Sequence, residues 1–129
     1  LEFNQGLWNM GHIYLKERKE HVLLVSLSKQ GRIKAHRYHD YFESPEVFHW
    51  QSQNKSTPDN ARGTAIVNQA RLGTRFHLFV RKSRLLKGLG APFYYCGPVH
   101  YLSHSGEAPM NVIWRLEHAL SPELTELFL

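Results

Sequence analysis

The ten residues from Phe48 to Thr57 carry the side chains best suited to binding a polar ligand. Phe48 and Trp50 alternate with polar neighbours, which is the pattern of a strand with one face in a core. Seven hydrogen-bonding residues then follow without interruption: Gln51, Ser52, Gln53, Asn54, Lys55, Ser56 and Thr57. Such amides, hydroxyls and ammonium groups read base edges and hold phosphate oxygens. We interpret the stretch as a strand leading into a recognition loop; an ordinary polar loop that ends in a turn is the alternative.

Positive charge is concentrated around this stretch. Residues 29–87 contain twelve Lys and Arg against four Asp and Glu, whereas residues 88–129 contain one against four. Neutralising phosphates with basic side chains releases counterions, so a nucleic acid is the natural partner, and an idle basic surface is the alternative. The candidate DNA contacts outside the first stretch are Lys29, Arg32, Lys34, Arg62, Arg81, Lys82 and Arg84, with Ser103, His104 and Ser105 on a second polar loop.

The base contacts are expected mainly from Gln51, Gln53, Asn54 and Arg62. Glutamine and asparagine pair bidentately with adenine, and arginine pairs bidentately with guanine. Phosphate contacts would come from the other basic residues and the hydroxyls.

One acid, Asp40, is embedded among aromatic residues, with Tyr38 and Tyr41 close in sequence and Trp50 as a further candidate. Aromatic walls with one acceptor could hold a cytosine rotated out of the duplex, because the carboxylate would accept from its exocyclic amine. A turn cap or a partner for Arg37 is the simpler interpretation of Asp40.

The sequence gives little support for a metal site or for an enzyme active site. The nine histidines show no spacing that joins two ligands on a credible helix to a catalytic acid, and the single cysteine excludes a Cys pair. We predict no metal, no cofactor and no catalytic residue. A small hydrolase that uses His104 and Ser105 is the alternative of another class, although no Gly-x-Ser-x-Gly elbow accompanies them.

The elements that position these residues are short strands spaced by about ten residues. Residues 21–27, 74–81 and 111–117 predict strands, residues 92–97 and 99–102 two strands joined at Gly97-Pro98, and residues 61–72 either a helix or a strand. Ser44-Pro45-Glu46 predicts a single helical turn before Phe48, and Ser121-Pro122 the start of a C-terminal helix. The pattern predicts a mainly β (α+β) fold, a single closed or half-closed pseudobarrel of about seven strands with small peripheral helices.

At 129 residues the chain has the length of one domain. The single cysteine excludes an internal disulfide and fits a reducing compartment. No apolar run approaches the roughly 18 residues of a membrane span, and no secretory leader is recognisable. We therefore expect a soluble, intracellular protein without a membrane partner. Because Leu1-Glu2-Phe3 is not a natural start, we expect residues 1–129 to be a fragment of a longer chain.

Three blocks in order carry a resemblance to a known family: Asp40-Tyr41 with residues 48–54, then residues 78–81, then residues 97–110. From about Phe3 to Leu120 the chain resembles a domain of formerly unknown function. That domain is found C-terminal to phospholipase-D-type nuclease and superfamily-two helicase modules in bacterial restriction and defence proteins.

The resemblance implies the target-recognition module of a modification-dependent (type IV) restriction enzyme with an SRA/PUA-like or plant B3-like pseudobarrel. It further implies a cytoplasmic bacterial protein that binds double-stranded DNA containing 5-methylcytosine, with nuclease and helicase modules in the same parent chain. A pseudobarrel of this kind can also read an unmodified duplex through two loop arms in the major groove, without base flipping.

Overall fold

The computed structural model describes residues 12–28, 40–51, 61–83, 85–86, 89–106 and 110–129, and the statements below concern these ranges. The strands are β1 (His12–Leu15), β2 (Glu20–Ser28), β3 (Tyr41–Ser44), β4 (Val47–Gln51), β5 (Arg75–Ser83), β6 (Leu85–Leu86), β7 (Leu89–Gly90), β8 (Tyr94–Ser105) and β9 (Asn111–Leu116). The helices are α1 (Ala61–Val67), α2 (Gln69–Leu72) and α3 (Pro122–Phe128).

Seven of the strands form one open, mixed sheet in the order β1-β2-β5-β8-β9-β4-β3. The sheet curls strongly. This curl is evident from the short distance of 6.1 Å between the ring of His12 on edge strand β1 and the ring of Trp50 on β4. The mainly β architecture with small helices confirms the predicted fold class. The sheet contains a parallel pair, β2 with β5, which needs a long crossover connection and was not predicted.

The core lies on the inner face of the curled sheet, and strict alternation explains which residues enter it. Strand β5 alternates between buried and partly exposed positions, and β4 and β9 do the same. The largest buried side chains include Trp114, Phe48 and Phe76. The opposite side of the sheet is called the outer face below.

Strand β2 is the predicted exception to alternation, since residues 21–25 are all buried. Leu23 and Val25 belong to the main core. Val22 and Leu24 form a second, small cluster with Ile13 on the outer face. A nearly continuous run of β-branched and aliphatic residues therefore matches a strand covered on both sides, as expected.

The predicted helical turn at Ser44-Pro45-Glu46 is wrong. These residues make the tight turn of a β3–β4 hairpin, in which Ser44 Oγ accepts a hydrogen bond from the Glu46 amide at 3.2 Å. Serine followed by proline begins a type I turn as readily as a helix. The hairpin also brings the rings of Phe42 and Phe48 to 4.7 Å, a contact that a helical turn would remove.

The predicted strand break at Gly97-Pro98 is also wrong, because β8 continues from Tyr94 to Ser105. Leu78 pairs with Gly97 and Phe79 with Tyr95, so Cys96 is an extra residue of the kind found in a β-bulge. Gly97 has a φ of 96°, which favours glycine. The bulge absorbs the irregularity that the Gly-Pro pair indicated, and residues 103–105 consequently belong to a strand rather than a loop.

The ambiguous stretch 61–72 is helical and packs on β8. The buried side chain of Gln69 fixes this packing. Its Nε2 donates to the Thr74 carbonyl at 2.9 Å, and its Oε1 accepts from the Tyr101 amide at 3.2 Å.

The C-terminal helix α3 starts where it was predicted. Ser121 Oγ accepts a hydrogen bond from the Leu124 amide at 3.2 Å, and Pro122 is the first helical residue. Phe128 stacks on Phe42 with their rings 5.7 Å apart. No helix in the described ranges is long and apolar enough to cross a membrane.

Three polar side chains link the central strands on the outer face. Glu20 on β2 accepts from His77 Nε2 at 2.8 Å, and His77 Nδ1 lies 2.6 Å from the Tyr95 hydroxyl on β8. Desolvation opposes ionisation of Glu20, but the hydrogen bonds from His77 and Arg18 outweigh it and hold its pKa below the ordinary value of 4.5. Glu20 is therefore a carboxylate in the neutral pH range.

This pKa shift predicts a specific acid sensitivity. A lowered folded-state pKa stabilises the fold at pH values above the unfolded pKa, and that contribution is lost as the pH falls through the folded value. The urea midpoint of the wild type should therefore fall more steeply below pH 5 than that of Glu20→Gln. Glu43→Gln, an exposed acid on β3, is the control and should keep the wild-type slope. Parallel curves for the wild type and Glu20→Gln would contradict the prediction.

Candidate nucleic-acid interface

The ends of strands β4 and β8 meet on opposite sides of one residue, Asn111. Gln51 pairs with Asn111 from β4, and Ser105 pairs with Asn111 from β8. The Gln51 side-chain amide also donates to Asn111 Oδ1 at 3.4 Å. We call Gln51, Asn111 and Ser105 the polar row. It places Gln51, the first residue of one polar stretch, and Ser105 of the other on either side of Asn111.

The polar row lies on the outer face, because its strand neighbours Trp50 and Val112 are buried on the inner face. A second row runs beside it, in which Ser103 and His49 both pair with Ile113. Tyr41 pairs with His49, and their rings stack at 4.8 Å with an interplanar angle of 15°. The outer face thus offers hydroxyls, amides and an exposed aromatic stack.

A cleft of about 260 Å³ lies near the end of β4 and is named here the Asp40 cleft. Its polar lining residues are Asp40, Tyr41 and Lys82, and its apolar ones are Leu27, Phe42, Leu127 and Phe128. Asp40 Oδ1 accepts a hydrogen bond from the backbone amide of Gln51 at 2.7 Å, which connects the cleft to the polar row. The lining of the cleft therefore combines a carboxylate, an ammonium group and a phenol with apolar side chains.

The sequence matches, over residues 2–128, the family described as Domain of unknown function (DUF3427). The chain belongs to this family. The match confirms the expected membership of a family of unknown function. None of the curated proteins compared with the chain matches it.

Two of the four residues expected to form a base pocket, Asp40 and Tyr41, line the Asp40 cleft of this DUF3427 domain. Trp50 does not line the cleft. It is 3% exposed and packs in the core with its ring 6.3 Å from that of Trp114, because alternation along β4 turns it inward together with Phe48. Tyr38 lies outside the described residues.

Arg81 and Lys82, predicted to act together, project to opposite faces of the DUF3427 sheet. Lys82 lines the Asp40 cleft. Arg81 lies on the outer face, where its Nε donates to Ser26 Oγ at 2.6 Å and its guanidinium lies 4.4 Å from the centre of the Phe93 ring. Successive residues of a strand point to opposite sides, so one ligand surface does not readily use both.

The same alternation separates His104 from Ser105. Ser105 belongs to the polar row, whereas His104 Nδ1 lies 2.6 Å from the Tyr101 hydroxyl. A histidine that activates a serine must reach its hydroxyl, and neighbours on one strand do not. The hydrolase alternative therefore gains no support from this geometry. Burial raises the pKa of the Cys96 thiol to about 12, so this cysteine is not poised as a nucleophile either.

The remaining sequence-predicted DNA contacts of the DUF3427 domain lie outside the described residues: Lys29, Arg32, Lys34, Ser52, Gln53, Asn54, Lys55, Ser56, Thr57 and Arg84. Arg62 falls in helix α1, but its side chain is not among those described. Within the described ranges, no three His, Cys, Asp or Glu side chains gather as they would around a metal ion.

Sequence reasoning missed Asn111, the centre of the polar row. A single polar residue at the start of a strand carries little signal by itself. Its importance comes from the register of β9 with both β4 and β8, which depends on pairing between distant parts of the chain.

Proposed function

We propose that this domain recognises double-stranded DNA as the target-recognition module of a modification-dependent restriction protein. In that setting it would act with nuclease and helicase modules of the same parent chain and catalyse no reaction itself. The observation that carries the proposal is the alignment of Gln51 and Ser105 on Asn111. This alignment brings together at one site one residue from each of the two polar stretches.

The dimensions of the polar row suit the major groove. Three neighbouring strands span two interstrand spacings, or roughly 10 Å. The major groove of B-DNA is about 12 Å wide. Side chains of the Gln, Asn and Ser type can donate to and accept from base edges, so the row supplies direct readout while basic residues hold the backbone.

The Asp40 cleft adds a place for a cytosine rotated out of the duplex. The Asp40 carboxylate would accept from the exocyclic amine of the base, and Tyr41 and Phe42 would contact the ring. A carboxylate has about four acceptor sites, so its bond to the Gln51 amide is compatible with a second donor. A 5-methyl group would be accommodated by the apolar residues of the cleft, Leu127 and Phe128.

A second candidate is the recognition of an unmodified sequence without base flipping. The bond from the Gln51 amide to Asp40 favours it, because this bond gives Asp40 a structural role at the end of β4. In that case the polar row and the two adjoining stretches would read the major groove by themselves.

Matched duplexes with and without 5-methylcytosine, titrated at one fixed salt concentration, test the proposal. Tighter binding of the methylated duplex is the expected result. A 2-aminopurine beside the methylated cytosine should brighten if the base leaves the stack. Equal, sequence-dependent binding without brightening would favour the second candidate, and failure to bind any duplex would exclude both.

A further inference from the structure

A row of basic side chains crosses the same outer face as the polar row. His100 on β8 pairs with Arg115 on β9. Arg75 on β5 lies one residue beyond the pair formed by Phe76 and Val99, which places it beside His100. Both arginines are exposed. We call Arg75, His100 and Arg115 the basic row.

A cavity of about 270 Å³ adjoins the basic row between α2 and strands β5 and β8. Its polar lining includes Thr74, Arg75, His100 and Glu117. Arg75 contributes an exposed guanidinium to this lining.

Two histidines contact the carboxylate of Glu117 at this cavity. His100 Nε2 lies 3.1 Å from Glu117 Oε1, and His118 Nε2 lies 3.3 Å from Oε2. The hydrogen bond from His100 lowers the pKa of Glu117, so the group is ionised at neutral pH. Glu117 therefore orients the His100 ring within the basic row.

The spacing between the two rows relates them to one ligand. Along β9 the two rows are four residue steps apart, from Asn111 to Arg115, or roughly 13 Å of extended strand. Because one turn of B-DNA spans about 34 Å, a duplex that meets the polar row on the outer face also extends over the basic row.

We propose that the basic row is a phosphate-binding anchor for the DNA backbone. The inference rests on the proposed function and adds residues that determine affinity rather than sequence preference. The exposed arginines would bind phosphate oxygens through paired N–H donors.

Arginine substitutions measured by fluorescence anisotropy over a series of salt concentrations test the anchor. Arg75→Ala and Arg115→Ala should each weaken binding of methylated and unmethylated duplexes by the same factor, about 5-fold or more. Each should also reduce the salt slope by about 1, as expected for a lost phosphate contact. Arg71→Ala is the matched control, since it removes an exposed arginine on α2 that does not line the cavity.

The outcomes distinguish failure of the anchor from failure of the proposed function. If Arg75→Ala and Arg115→Ala match Arg71→Ala in affinity and salt slope while the wild type binds DNA, the anchor is wrong and DNA recognition stands. If the wild type binds no duplex, both fail. A third outcome is that inorganic phosphate raises the melting temperature of the wild type but not of Arg75→Ala, while the substitutions leave duplex binding unchanged. In that case the cavity binds free phosphate instead of DNA, and the anchor is wrong.

Discussion

Replacing Trp114 by alanine should lower the free energy of unfolding by about 3–5 kcal/mol, the usual cost of truncating a large buried aromatic residue. Trp114 is fully buried and pairs with both Phe48 and Tyr101 at the centre of the sheet. Its ring lies 4.8 Å from that of Phe76 and 6.3 Å from that of Trp50. The cavity left by alanine would therefore border aromatic residues from three strands, which cannot all move inward to fill it.

Urea denaturation followed by far-ultraviolet circular dichroism measures this loss. Leu102→Ala, at a residue that is 49% exposed, is the control and should change stability by less than about 0.5 kcal/mol. Trp114→Phe refines the test, because the indole N–H is buried without a partner in the described ranges. Trp114→Phe should lower the free energy of unfolding clearly less than Trp114→Ala does. A loss below about 1 kcal/mol for Trp114→Ala would show that the core does not depend on this residue.

Asp40→Asn should selectively weaken binding to the methylated duplex. A hydrogen bond to a charged group contributes about 1.5–3 kcal/mol, which corresponds to roughly a 10- to 150-fold loss of affinity. The asparagine side chain keeps an oxygen that can accept from the Gln51 amide, so the end of β4 should retain its structure. What changes is the negative charge that would face the exocyclic amine of a flipped cytosine.

Competition between methylated and unmethylated duplexes measures the change directly. Glu43→Gln removes one exposed negative charge from strand β3, which follows Asp40, and should leave the preference intact. Asp40→Ala, which also removes the acceptor for Gln51, should lower the melting temperature as well. Equal effects of Asp40→Asn and Glu43→Gln on the preference would place the methylated base outside the Asp40 cleft.

Local patterns in the sequence were sufficient to predict most strands. The period-two alternation of Phe76, Leu78 and Val80 is a property of consecutive residues, and so is the cap formed by Ser121. Ser44-Pro45 misled because the same two residue types begin both turns and helices. Only the packing of Phe42 on Phe48, which depends on the finished hairpin, decides between them.

The candidate site was predictable only in part, for a related reason. Gln51 and Ser105 could be predicted from composition, since each belongs to a polar stretch. Arg75 and Arg115 are isolated basic residues in strands, and sequence alone does not reveal that register places them in one row. Trp50 was expected in the pocket, although its alternation with Phe48 places both residues on the core side of β4.

The parallel pairing of β2 with β5 has a consequence for how the protein folds. It joins residues far apart in sequence, as the 55 positions between Ser26 and Arg81 illustrate. The β3–β4 and β8–β9 hairpins involve much nearer neighbours and can form early, whereas the parallel pair must wait for a long loop to close. We therefore expect refolding on a millisecond-to-second timescale, and refolding that is complete within the dead time of a stopped-flow instrument would contradict it. Until that closure, the apolar edge of β2 is open to other chains, so the strand that holds the finished sheet together is also its main aggregation hazard.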